Sequence, residues 1–171
     1  SGLSLIEISH RSPAFVEIMN NATALAIELL GLEGKGYKAM FLQGGASQQF
    51  LNVANNFLEN KAGYANTGTW STKAIKEAKL LGNAVELSTS KDANFNYIPK
   101  GFDIPSDLDY LHITTNNTIF GTQYKFLPKT TVPLIADSSS DIFSRTLDFS
   151  KFDLLYAGAQ KNMGPAGATL V

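Results

Sequence analysis

The sequence predicts an α/β fold: a mainly parallel sheet with helices on both faces. Two observations carry this. Short, uninterrupted apolar runs alternate with segments whose apolar residues recur every three or four positions, as do strands buried between amphipathic helices. The chain has 171 residues, 44% hydrophobic and 17% charged, which is enough for one ordinary core and too little for two. No internal repeat, low-complexity segment or linker divides it.

The first helix starts at Ser12-Pro13, a capping hydroxyl followed by proline at the first helical position. Phe15, Ile18, Met19, Ala22, Leu25, Ala26, Leu29 and Leu30 then follow at helical spacing, and Gly31 closes about five turns. Residues 38–42 form a short strand that runs into Gly44-Gly45-Ala46-Ser47, after which 48–57 reads as helix. Strand, glycine turn and helix together point free backbone N–H groups at an anion, although a plain tight connection uses the same residues.

Residues 61–65 form the next strand, ending in Asn66-Thr67-Gly68-Thr69-Trp70. Ser71 is expected to cap a helix to about Leu81 that presents Ala74, Ile75, Ala78 and Leu81 on one face. A strand over 84–87 precedes an irregular stretch, 88–109, broken by Pro99, Gly101 and Pro105. The strand 110–114 leads into Thr115-Asn116-Asn117-Thr118, and the apolar strand 132–136 ends at Asp137. A last run from Phe152 to Tyr156 stops in Ala157-Gly158-Ala159-Gln160, presents Lys161 and leaves through Gly164-Pro165. Both termini read as abrupt, which predicts a piece of a longer polypeptide.

Composition narrows the chemistry. With a net charge of -1 and no basic run, the chain lacks the electrostatic footprint of a nucleic-acid binder. The absence of cysteine removes disulfides and thiolate metal sites, and the two histidines, His10 and His112, lie far apart, so no metal site is expected. No apolar run reaches the roughly 20 residues that a membrane span needs. A cytoplasmic protein acting on small molecules fits best.

In parallel sheets, ligands sit outside the carboxyl ends of the strands. Ala46-Ser47, Trp70, Thr118, Asp137 and Lys161 all fall there. A lysine that acts as a nucleophile must lose its proton near neutral pH, so Lys161 is expected to be partly buried or near positive charge. A lysine, an acid at a neighbouring strand end, a flat aromatic and an anion cradle are together what pyridoxal phosphate requires.

Six segments carry a closer likeness: Ile8-Ser9-His10-Arg11-Ser12, Gly44-Gly45-Ala46-Ser47-Gln48-Gln49-Phe50, Thr67-Gly68-Thr69-Trp70-Ser71, Ala74-Ile75-Lys76-Glu77-Ala78, Asn117-Thr118-Ile119 and Tyr156-Ala157-Gly158-Ala159-Gln160-Lys161-Asn162. With these in this order, the whole chain resembles the phosphoserine aminotransferases, a family of class V, fold-type I pyridoxal-phosphate enzymes. The resemblance implies that residues 1–171 are part of the large cofactor domain, with a C-terminal small domain absent from this chain.

It further implies that Lys161 holds pyridoxal 5'-phosphate covalently and moves a proton during the reaction. Asp137 would pair with the ring nitrogen, with a turn-capping aspartate as the plainer reading and Asp141 as a less favourable neighbour. Trp70 would stack on the ring, unless it serves only the core. Thr118 would bond near the phenolic oxygen, while Ala46, Ser47 and Gln160 would hold the phosphate. Some relatives carry Gly-Arg at the Ala46-Ser47 position, so a basic contact is missing here.

His10-Arg11 would grip the distal anion of the substrate, reaching from one subunit of a homodimer into the site of the other. The implied reaction transfers an amino group between glutamate and 3-phosphohydroxypyruvate, giving O-phosphoserine and 2-oxoglutarate. Two alternatives stay open: another class V enzyme with different substrates, and a non-catalytic nucleotide-binding domain. Against the latter, the glycine turn has neither a three-glycine fingerprint nor a P-loop lysine. His112 reads as a satisfied core residue with no assigned role.

Overall fold

Residues 2–171 are described in the computed structural model. Helix α1 (Pro13–Leu29) starts as expected, with the Ser12 hydroxyl accepting the Phe15 N–H at 3.3 Å. Strand β1 (Phe41–Gln43) feeds α2 (Ala46–Phe57), and β2 (Ala62–Asn66) feeds α3 (Thr69–Leu81). Then come β3 (Ala84–Thr89), β4 (Tyr110–Thr114), a small hairpin of β5 (Asn116–Asn117) and β6 (Thr122–Gln123), β7 (Leu134–Asp137), β8 (Leu154–Gly158) and β9 (Ala168–Leu170).

Seven of the strands form one sheet in the order β1-β9-β8-β7-β4-β2-β3. The pairings from β8 through to β3 are all parallel, and only β9 runs antiparallel to its neighbours, β1 and β8. Strand β1 therefore points the same way as β8. This is the expected mainly parallel α/β sheet.

Alternation along each strand sorts the core into two layers. Leu111, Ile113, Leu134 and Ala136 face one side, where Ala26 and Leu30 of the α1 region pack with Phe149 and Phe152. Tyr64, Tyr110, Ile135 and Tyr156 face the other, covered by Phe50 and Val53 of α2 and by Ala74, Ile75 and Ala78 of α3. His112 lies on that second face, buried, stacked on Tyr64 at 5.1 Å and hydrogen-bonded through Nε2 to the Tyr156 hydroxyl at 2.8 Å. Burial holds its pKa down at about 3.

Three expectations need correction. Helix α3 begins three residues early: Gly68 is the N-cap, and Ser71 lies inside the first turn with its Oγ accepting the N–H groups of Thr67 and Gly68. Leu81, expected on one face with Ala74, Ile75 and Ala78, is 46% exposed while those three are buried. On α1 only Ala26 is buried, while Leu25 and Leu29 are 54% and 63% exposed, so the apolar stripe is wider than the face the sheet covers. Gly44, at φ +99°, makes the turn between β1 and α2 that residues with a Cβ rarely adopt.

Candidate active site

The strand ends converge on a cleft at the C-terminal edge of the sheet. Ala46, Ser47, Trp70, Thr118, Asp137, Gln160 and Lys161 all line it. Parallel topology brings them together, because β1, β2, β4, β7 and β8 all discharge at the same edge.

One end of the cleft is formed by the start of α2. The N-cap of α2 is Gly45, which gives no side-chain cap; the Gln48 N–H bonds back to the Gly45 carbonyl at 3.1 Å, which leaves the N–H groups of Ala46 and Ser47 for a ligand. Strand β8 ends very close to this helix start. A Cβ on Gly158 would lie 3.4 Å from Ala46 N and 2.6 Å from Gln160 Oε1. Only glycine lets Gln160 fold back beside Ala46 without displacement.

The other end carries the acid. Asp137 terminates β7 and is buried, and its Oδ1 accepts both the Ser139 N–H at 3.0 Å and the Ser139 hydroxyl at 2.6 Å. Burial raises its pKa above the usual carboxylate value; the Ser139 bonds and the Lys161 charge pull it back, and Asp141 pushes it up. Asp137 thus caps the turn through Oδ1, and its Oδ2 lies outside those bonds. Asp141 is committed elsewhere, to Arg145 at 2.9 Å and to Thr115, and lies outside the cleft lining.

Lys161 is exposed, against the expectation of partial burial. It is held by a hydrogen bond, Nζ donating to Thr118 Oγ1 at 2.6 Å, with the Trp70 ring centroid 5.8 Å away. Trp70 is in turn fixed by the α3 start, where Asn66 Oδ1 accepts the hydroxyls of Ser71 at 2.9 Å and Thr72 at 3.0 Å. His10 and Arg11 stand apart. They are exposed just before α1, Arg11 Nε donating to His10 Nε2 at 3.4 Å, and do not line the cleft.

The cleft also includes residues that sequence reading did not single out: Phe50, Thr114, Asn116, Ser139 and Ser140. Thr114 is opposite Asp137 in the β4–β7 register, and its hydroxyl is buried without a partner. Register counting from Asp137 is the signal that could have found it. Among the described residues no group of His, Cys, Asp and Glu could hold a metal ion, and no helix is long and apolar enough to cross a membrane. The cleft offers an amine, a buried carboxylate, a flat aromatic and a helix start without a side-chain cap.

The description of class V aminotransferases matches residues 2–171. The chain is 64% identical to the phosphoserine aminotransferase of Flavobacterium johnsoniae, an alignment covering 100% of this chain and 49% of the relative. Among solved structures, it superposes on the phosphoserine aminotransferase of Bacillus circulans subsp. alkalophilus with a TM-score of 0.95 at 45% identity, covering 99% of this chain and 48% of that one. It superposes on the pyridoxal-phosphate-bound phosphoserine aminotransferase of Trichomonas vaginalis with a TM-score of 0.90 at 34% identity, covering 99% and 49%. The chain thus spans about half the length of the curated relatives it matches. Matched over nearly its whole length, and with the family's fold, the chain belongs to the class V aminotransferases.

Proposed function

We propose that the protein is a pyridoxal 5'-phosphate-dependent transaminase that exchanges an amino group between glutamate and 3-phosphohydroxypyruvate, giving O-phosphoserine and 2-oxoglutarate. We further propose that residues 1–171 form part of its cofactor domain. The observation that carries the reading is that all seven residues assigned to the cofactor from sequence line one cleft. The likeness to named phosphoserine aminotransferases supports the choice of substrates.

The residues fit the cofactor. The uncapped α2 start, Ser47 and Gln160 suit a phosphate, and the buried Asp137 keeps Oδ2 outside its bonds to Ser139. When bound, the cofactor supplies a carbonyl that takes up the amino group and a ring that accepts the electron pair released at the substrate α carbon. Asp137 holds the proton on the ring nitrogen, and its own negative charge is what keeps that proton in place. Trp70 offers an apolar face that keeps the ring flat and excludes water. Thr118 orients Lys161, whose Nζ would take the proton from the substrate α carbon as general base and, as general acid, deliver it to the carbon that was the cofactor's carbonyl carbon.

His10 and Arg11 are set outside the cleft of their own chain, which supports a homodimer in which they serve the partner's site. A guanidinium beside an imidazole suits a phosphate or distal carboxylate. The test is spectral. In the full-length protein the cofactor absorbance is expected to shift with glutamate and with O-phosphoserine but not with alanine, and Lys161→Ala is expected to abolish borohydride-reducible attachment. A reducible adduct in Lys161→Ala, or an equal response to alanine, overturns the reading.

A further inference from the structure

Ser139 makes more bonds to the catalytic edge than any role so far requires. Its hydroxyl donates to Asp137 Oδ1 at 2.6 Å, its N–H donates to the same oxygen at 3.0 Å, and the hydroxyl accepts the Gly158 N–H at 3.1 Å. One side chain therefore joins the end of β7, which carries the acid, to the end of β8, which leads to Lys161.

We propose that Ser139 is the positioning residue for Asp137: it locks the carboxylate through Oδ1, leaves Oδ2 for the protonated ring nitrogen of the cofactor, and fixes the acid's strand relative to the lysine loop. This rests on the reading of the cleft given above.

The physical argument starts from burial. A carboxylate taken out of water favours its neutral form, and a neutral Asp137 cannot hold a proton on a ring nitrogen by charge. Two donors on one oxygen oppose that drift and stop rotation about the Cβ–Cγ bond. Other groups facing Asp137 do not replace them. Lys161, from the loop after β8, favours the charged form, Asp141, from the following turn, disfavours it, and Tyr156 on β8 is kept neutral by burial. His112 on β4, bonded to Tyr156, is neutral as well. Without the Ser139 hydroxyl the Gly158 N–H also loses its acceptor, so the lysine loop is loosened by the same change.

The test uses the full-length protein and three variants, Ser139→Ala, Ser139→Thr and Asp137→Asn, with cofactor affinity measured against pH and thermal midpoint measured on the same cofactor-free samples. Ser139→Ala is expected to weaken affinity about tenfold near neutral pH, the scale of one hydrogen bond to a charged group. It is also expected to move the acid limb of the profile to higher pH. Ser139→Thr, which keeps the hydroxyl, should restore both. A Ser139→Ala profile that superimposes on wild type, or a threonine variant no better than alanine, overturns the proposal even if the thermal midpoint falls, because a merely structural serine would move only the latter. Equal affinity of wild type and Asp137→Asn instead overturns the reading of the cleft. The infrared carboxylic-acid band of Asp137 in cofactor-free protein then decides the hold of Ser139, by appearing at higher pH in Ser139→Ala or at the same pH as in wild type.

Discussion

Lys161 and Thr118 belong to loops separated in sequence by both β7 and β8, yet Lys161 Nζ donates to Thr118 Oγ1 at 2.6 Å. The bond orients an exposed amine that packing does not restrain. Replacing Thr118 with valine keeps the shape and removes the acceptor. Cofactor attachment in the full-length protein should slow about tenfold, through lost orientation of the attacking amine, while Thr118→Ser keeps the wild-type rate. Stopped-flow absorbance measures this, and equal rates for the valine and wild-type proteins would count against the role.

The proposed sharing of sites between subunits has its own test. Lys161→Ala and Arg11→Ala proteins should each be nearly inactive alone. Mixed after mild dissociation, they form dimers in which one site combines an intact lysine from one chain with an intact arginine from the other. Random pairing of a two-fold dimer gives recovery of about a quarter of wild-type activity. No recovery in verified mixed dimers would place Arg11 in its own subunit's site or outside catalysis.

His112 gives a prediction for stability against pH. Its folded pKa, about 3, is depressed below the 6.5 of an unhindered histidine because the ring is buried. Above 6.5 neither state carries the extra proton and the full contribution is present. As pH falls toward 3, only the unfolded chain takes the proton, so stability is lost at up to about 1.4 kcal/mol per pH unit. Urea unfolding of wild type and His112→Gln at pH 7 and pH 5 should show a smaller acid loss in the variant, whatever its absolute stability. Parallel losses would remove His112 from the explanation.

How much of this was legible in sequence depended on the range of the interaction. The caps, periodicities and strand ends are local, so α1, the sheet and the positions of Asp137 and Lys161 could be read from residue order. Ser139 could not be assigned, because its hydroxyl acts on Gly158, which comes from the neighbouring strand. Asn116 and Ser140 bond to each other across the fold, and the two-residue strands of the β5–β6 hairpin leave no alternation to detect. Leu25 and Leu29 misled in the opposite sense, since periodicity reports an apolar face and not what covers it.

The reversed direction of β9 decides which edge its two neighbours reach. It inserts one strand between β1 and β8 while leaving both pointing at the same edge, so the start of α2 can fold back over the end of β8, where a Cβ on Gly158 would lie 3.4 Å from Ala46 N. The Gly44 N–H bonded to the Gly167 carbonyl and the Thr169 hydroxyl bonded to the Gly44 carbonyl pin the β1–α2 turn to β9. Strand β9 thus works as a spacer: without lining the cleft, it keeps β1 and β8 on one edge, where the start of α2 and the end of β8 meet.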